Sequence, residues 1–178
     1  MTPEELKALV RSVPDFPKPG ILFRDVTTLI GHGAGFAETV TLLAQRAQAC
    51  GAQAIAGIEA RGFIFGGAAA ARLGLPFIPL RKPGKLPVPV LAIDYALEYG
   101  TDTLEVDPGA LSEGQNVLIL DDLIATGGTA LAGVQLLRRA GALVTHAVFV
   151  IDLPDLGGAQ RLRDAGLAVE ALMQFPGH

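Results

Sequence analysis

The stretch VLILDDLIATGGTA, Val117 to Ala130, decides the fold. Four aliphatic residues run without a break into two adjacent aspartates, Asp121 and Asp122, and then into a small-residue loop that opens a helix-like segment. An uninterrupted apolar run of this length fits a strand buried on both faces, as in parallel sheets. Ligands of such sheets sit at the carboxyl ends of the strands, where the two acids emerge. Neighbouring side chains of a regular strand point to opposite sides, so at least one acid faces the site. Carboxylates there accept hydrogen bonds from vicinal hydroxyls, such as the 2′ and 3′ groups of a ribose. In the loop, Ala125, Thr126, Gly127, Gly128 and Thr129 leave backbone N–H groups unobstructed at a helix start. With the helix dipole and two threonine hydroxyls, these amides make a phosphate cradle. A diol grip beside a phosphate cradle suits a ribose 5-phosphate. The chain has neither the lysine followed by Ser or Thr of a P-loop nor a G-x-G-x-x-G string.

The same rhythm extends outward from this stretch. AIAGIE, PFIPL and THAVFVID are further apolar runs, alternating with the helical stretches GFIFGGAAAARLG and TALAGVQLLRRAG. That alternation predicts an α/β fold, a central mostly parallel sheet flanked by helices. With 178 residues, half of them hydrophobic, the chain fills one core, and a single domain over 1–178 is expected. Upstream, Thr2, Pro3 and Glu5 have the spacing of an N-cap, a first-turn proline and a capping-box glutamate. They open a helix with Leu6, Leu9, Val10 and Val13 on its apolar side, ending at Pro14. DFPKPGILFRDVTTLI follows as an extended, turn-rich strip without regular structure. Phe36 to Cys50 is a helix by its apolar spacing, with Gly51 at its C′ position. Between Pro79 and Pro108 a Pro/Gly/Lys segment leads into AIDYALEYGTDTLEV, a hairpin or flap projecting from the sheet, with Tyr-Gly-Thr-Asp separating its two runs.

Composition bounds the partners. The formal net charge is -4 and no run of basic residues forms a stripe, which argues against nucleic acid. The single cysteine, Cys50, excludes an intramolecular disulfide and points to a reducing compartment. MTPEELK lacks the regions of a signal peptide and no apolar run can span a bilayer, so a cytoplasmic protein without a membrane partner is expected. His32, His146 and His178 show no metal-ligand spacing. Arg61 stands before a Gly-rich helix start after Glu59, where its guanidinium and nearby amides can bind a second anion. The plainer reading is an ion pair between Arg61 and Glu59. Arg81, Lys82 and Lys85 form a set of cations suited to a polyphosphate, or a solvated basic loop.

VLILDDLIATGGT resembles the phosphoribosyl pyrophosphate (PRPP) signature of the type I phosphoribosyltransferases. DFPKPGILFRDVT, GIEARGFIFG, RKPGKLP, LEYGTDTLE and FVIDLPDLGG resemble, in order, segments of the adenine-specific branch of that family and cover most of the chain. The resemblance implies the type I phosphoribosyltransferase fold, with a hairpin flap and an N-terminal base-binding hood over about residues 1–35. It implies transfer of the phosphoribosyl group of PRPP to adenine, giving AMP and pyrophosphate, with Mg2+ held mainly by PRPP and water, and a homodimer. It further implies ribose binding by Asp121 and Asp122 and 5′-phosphate binding by Ala125 to Thr129. Pyrophosphate falls to Arg61, Arg81, Lys82 and Lys85, with Arg81 able to serve a neighbouring subunit's site. The adenine ring stacks on Phe16, and its edge meets backbone groups of Leu22 and Arg24. Glu98 and Tyr99 on the flap take catalytic roles, Glu98 with the charge or proton of the reaction and Tyr99 in excluding water. A non-proline cis peptide is expected near Glu59, Ala60 and Arg61. A sensor that keeps the fold and the PRPP signature without catalysis is the reading from another class. A different acceptor base, such as xanthine, is the alternative among enzymes. Ile124, Asp152 and Asp155 depart mildly from the family pattern.

Overall fold

The computed structural model describes residues 1–97 and 99–177. Its centre is a five-stranded sheet of β3 (Ala54–Ile58), β4 (Phe77–Leu80), β7 (Val117–Ile124), β8 (His146–Asp152) and β9 (Ala168–Gln174), in the order β4-β3-β7-β8-β9. Every neighbouring pair is parallel. The winding runs from β3 outward to β4, then returns to the other side of β3 with β7 and continues to β8 and β9. The order reverses between β3 and β7, which opens a crevice at the carboxyl ends of those two strands.

Both faces of the sheet are covered. Ala54, Ala56 and Ile58 of β3 join one core with α5 (Gly128–Arg139) and α6 (Gly158–Asp164), while Ile55 belongs to the other. That second core packs Phe65, Ala69 and Ala70 of α4 (Arg61–Leu73) and Leu43 and Ala47 of α3 (Gly33–Ala49) against Leu118 and Leu120. Burial of both faces explains why the central strands are continuous apolar runs instead of alternating ones.

At the N-terminus, Thr2 and Glu5 form the reciprocal capping box of α1 (Pro3–Ala8). The helix ends at Ala8, short of the expected Pro14. Arg11 to Pro14 instead forms β1 (Arg11–Pro14), paired antiparallel with β2 (Leu22–Asp25). The strip after Pro14 is therefore partly regular, and it also contains the short α2 (Thr27–Ile30). Local sequence could not reveal this pairing, because each strand is four residues long and finds its partner across a proline-rich loop. Asp15, with φ of 56°, accepts the Gly20 N–H at 3.0 Å and closes that loop. His32 caps α3, its Nδ1 accepting from the Gly35 N–H at 3.0 Å.

The hairpin expected from AIDYALEYGTDTLEV is present as β5 (Leu91–Ala96) and β6 (Thr101–Val106). Its first strand ends at Ala96 and its second begins at Thr101, so the division falls earlier than Tyr-Gly-Thr-Asp implied, and Leu97 N–H donates to Gly100 O at 3.0 Å. It does not project freely: Leu104 and Val106 are fully buried in the core with α5, and Arg81 and Glu105 exchange backbone hydrogen bonds at 2.9 and 2.8 Å. Apolar residues on the inner face of β6 anchor the base of the hairpin, leaving its tip for the site. No described helix is long and apolar enough to cross a membrane.

Candidate active site

A cavity of about 400 Å³ opens at the switch point between β3 and β7. The end of β3 and the start of α4 contribute Glu59, Ala60 and Arg61, and the end of β7 with its loop contributes Asp121 through Ala130. Lys82 completes the wall. Both aspartates line this one cavity, although strict alternation would have sent them to opposite sides.

The two carboxylates have different neighbours. Asp122 is 5% exposed, and its Oδ2 accepts from Arg61 Nε at 2.5 Å. Among the described residues, Asp121 Oδ1 accepts only from the next backbone N–H, that of Asp122, at 2.9 Å. Burial, followed by the charge of Asp122, pushes the Asp121 carboxyl well above the ordinary carboxylate range, and Arg61 offsets only part of this. The fold thus holds a carboxyl that gains by accepting hydrogen bonds from a ligand. A Cβ on Gly62 would lie 2.6 Å from Asp121 Oδ1, so glycine there lets the first turn of α4 close on the acid without moving its side chain. Gly62 was visible in the sequence only as part of a Gly-rich helix start, with no sign of what it approaches.

The loop after β7 has the form expected of an anion cradle. Gly127 adopts φ of 84°, and α5 begins at Gly128 without a side-chain cap. Among the described residues no hydrogen bond occupies the N–H groups of Thr126, Gly127, Gly128 or Thr129. Open amides at the start of a twelve-residue helix, with a residual positive dipole, attract an anion.

The basic residues divide into two groups. Arg61 and Lys82 line the cavity, and Arg81 and Lys85 are not among its lining residues. Arg81 Nε donates to Glu59 Oε1 at 3.2 Å, and its guanidinium lies 5.5 Å from the Phe63 ring centre. The Lys82 N–H donates to the same Glu59 oxygen at 2.7 Å. Burial pulls Glu59 upward, but the Lys82 amide and Arg81 outweigh it and hold the carboxyl below its usual value. Glu59 therefore serves Arg81 and Lys82, and the Arg61–Glu59 pair considered from the sequence gives way to Arg61–Asp122. Lys82 Nζ is tied to Asp102 and, at 3.2 Å, to the Tyr95 hydroxyl, both on the hairpin. That tether was not legible in the sequence, because it joins segments that meet only once the hairpin docks. The Glu59–Ala60 peptide is cis, as expected for this loop.

The β1–β2 segment lies beside the cavity, with the cavity-lining Arg61 guanidinium 5.9 Å from the Phe23 ring centre. Phe16 is 51% exposed and meets Phe23 edge-on with ring centres 5.2 Å apart, leaving a ring face available to a planar ligand. Leu22 and Arg24 lie opposite Pro14 and Ser12 in the β1–β2 register. The Arg24 guanidinium donates to Ser12 Oγ and the Pro176 carbonyl, at 2.6 and 3.2 Å. On the hairpin tip, Tyr99 is 77% exposed, and Lys18 Nζ of the hood loop sits 5.5 Å from its ring centre. Glu98 and His178 lie outside the described residues. Among the described residues no group of three or more His, Cys, Asp or Glu is placed to hold a metal ion.

Comparison with known proteins agrees with this architecture. Residues 32–169 match the phosphoribosyl transferase domain family. The chain is 71% identical to the adenine phosphoribosyltransferase of Novosphingobium aromaticivorans, over 100% of both chains. The crystal structure of the adenine phosphoribosyltransferase of Thermoanaerobacter pseudethanolicus superposes with a TM-score of 0.93 at 44% identity, covering 98% of this chain and 100% of that one. The Saccharomyces cerevisiae adenine phosphoribosyltransferase, complexed with adenine and an imino-altritol bisphosphate, superposes with a TM-score of 0.90 at 35% identity, covering 96% and 98%.

Proposed function

This chain belongs to the adenine phosphoribosyltransferases of the phosphoribosyl transferase domain family, and we propose the following reading of its reaction and site. The enzyme transfers the 5-phosphoribosyl group from PRPP to adenine, giving AMP and pyrophosphate. The observation that carries this reading is the single cavity in which an acid pair and an anion loop stand opposite Arg61 and Lys82. Those are the groups a phosphorylated ribose with a pyrophosphate leaving group requires.

Asp121 and Asp122 accept the ribose hydroxyls, and the amides and hydroxyls from Ala125 to Thr129 hold the 5′-phosphate. Arg61 and Lys82 face the pyrophosphate, with Lys85 joining them as the loop closes. Arg81, held at Glu59 and off the cavity wall, suits a neighbouring subunit's site in a homodimer. Phe16 stacks on adenine. A carbonyl at Leu22 accepts from the adenine N6 amine, and an N–H at Arg24 donates to N1. A 6-oxopurine presents the reverse pattern and leaves both unpaired, a mismatch worth a large discrimination.

In the reaction the purine nitrogen bonds to the anomeric carbon as the bond to the pyrophosphate oxygen breaks, and the purine loses a proton. Oxocarbenium character builds at that carbon, and Glu98 stabilises it or exchanges the proton. Tyr99, packed toward Lys18, helps the hairpin tip exclude the water that would hydrolyse PRPP. The residues present suit a Mg2+ that arrives with the substrate, because Asp122 is committed to Arg61 and an ion that dehydrates reluctantly keeps phosphate, hydroxyl and water ligands. When bound, the ion neutralises charge on the leaving pyrophosphate. A cytoplasmic setting belongs to the same proposal, supported by a chain whose one cysteine can form no internal disulfide.

The test is the purified chain with PRPP and Mg2+, offered adenine, hypoxanthine, guanine and xanthine in parallel. AMP and pyrophosphate from adenine alone is the expected result. Turnover of another base overturns the base assignment, and PRPP binding without any turnover favours a sensor.

A further inference from the structure

We propose that Gly158, at the start of α6, is the positioning residue that sets the shape of the 5′-phosphate loop. The proposal rests on the reading of residues 125–129 as that loop. The segment following β8 grips the end of β7 at two points. The Leu153 N–H donates to the Ile124 carbonyl and the Gly158 N–H to the Ala125 carbonyl, each at 3.0 Å. Between these bonds the chain turns through Pro154–Leu156 and Gly157.

The contact at Gly158 leaves no room for a side chain in either direction. A Cβ there would lie 2.4 Å from the Ala125 carbonyl oxygen and 2.8 Å from both the Gly127 nitrogen and the Ile124 side chain. From the other side, a Cβ on Gly127 would lie 2.9 Å from the Gly158 Cα and oxygen. These neighbours are mostly backbone, so they cannot give way by changing a rotamer. Two glycines in contact let one backbone lie directly behind another, and the left-handed Gly127 keeps its φ of 84° against that wall. A side chain at Gly158 must push the loop toward the cavity or break the Gly158–Ala125 hydrogen bond. Either change moves the amides that meet the phosphate, and displacement of a binding group by about 1 Å is costly. Gly157 offers a contrast, because its φ is also left-handed at 79° but a Cβ there meets nothing within 4 Å. Strain in the segment and pressure on the loop can therefore be separated.

The 5′-phosphate is bound alike in substrate and transition state, so misplacing its loop raises KM and leaves kcat nearly unchanged. Gly158→Ala is expected to raise the KM for PRPP and the Kd for AMP by roughly 10- to 100-fold, with kcat within about threefold and pyrophosphate affinity unchanged. Gly157→Ala, strained but without the clash, is expected to lower Tm and leave both constants near wild type. Equal loss of AMP and pyrophosphate affinity in Gly158→Ala, or PRPP kinetics like those of wild type, overturns the proposal. Amide hydrogen exchange on the wild type covers the case of a variant that does not fold. Saturating AMP is expected to slow exchange at Gly158 by about tenfold or more while Asn116, at the far end of β7, is unchanged. Unchanged protection at Gly158 overturns the proposal. Wild-type protein that binds pyrophosphate but not AMP overturns the assignment of the loop itself.

Discussion

Arg61 Nε donates to Asp122 Oδ2 at 2.5 Å, joining the first residue of α4 to the end of β7 across the point where the sheet reverses its winding. The carboxylate side chain is 8% exposed and the guanidinium 51%, so the pair has a buried acid and a reachable cation. The arginine can keep one nitrogen on the acid while its remaining donors meet an anion in the cavity.

Removing that cation has two consequences. Arg61→Ala leaves Asp122 buried beside Asp121 without its partner, a cost of roughly 1–3 kcal/mol that shows as a lower Tm. Under the proposed pyrophosphate role it is also expected to weaken PRPP and pyrophosphate by about 10- to 100-fold, with a smaller loss for AMP. Calorimetric titration of the three ligands checks this, and an equal loss for all of them contradicts the pyrophosphate role.

The setting of Asp121 costs stability. Its carboxyl pKa is raised in the folded chain, so the folded state binds that proton more tightly than the unfolded one. The resulting penalty is absent below the unfolded value of 3.8, grows as pH rises toward the folded value, and is fully present above it. Asp121→Asn keeps an oxygen for the Asp122 N–H and removes the ionisable group. At neutral pH its Tm is expected to rise by a few degrees while PRPP affinity falls at least about tenfold. Thermal melts and PRPP titrations at pH 7 test both halves.

If Glu98 acts as proposed, in the transition state, Glu98→Gln is expected to lower kcat by about 100-fold or more while changing PRPP affinity only a few-fold. Steady-state kinetics with a direct PRPP binding measurement separates the two. Normal turnover removes Glu98 from the catalytic groups.

The hood depends on Asp25, which accepts from the Thr27 hydroxyl at 2.6 Å, the Thr27 N–H at 2.9 Å and Arg11 at 2.5 Å. These bonds, led by the Thr27 hydroxyl, lower its carboxyl to about 2. For a depressed pKa the stabilisation is present above the unfolded value of 3.8 and is lost as pH falls through about 2. Arg11 is more than half exposed, which screens its share, and Asp25→Asn is expected to cost roughly 1 kcal/mol at neutral pH. The difference from wild type shrinks toward pH 2, as chemical denaturation across that range will show. If β1 and β2 carry the base site as proposed, the KM for adenine is expected to rise in the same variant, because the two strands lose a tie at Arg11 and Asp25.

Much of this protein was determined by short-range chemistry that a linear string displays. The acids and small-residue loop from Asp121 to Thr129, the capping box of Thr2 and Glu5, and the doubly buried strands each need particular residues at neighbouring positions. The α/β class and the joining of an acid pair to an open-amide loop were legible for that reason. Tertiary structure decided which partners were chosen among equals. Arg61 had Glu59 two residues away, yet the crossover from β3 to α4 aims it at Asp122 and leaves Glu59 to Arg81 and the Lys82 amide. Lys82 turned to Asp102 because Leu104 and Val106 bury the hairpin base against α5. Gly62 and Gly158 look like any other glycines until packing brings a carboxylate against one and the loop after β7 against the other. Periodicity and capping are set by the local backbone, whereas the choice of a distant charge or a glycine contact is set by which strand ends the winding of the sheet brings together.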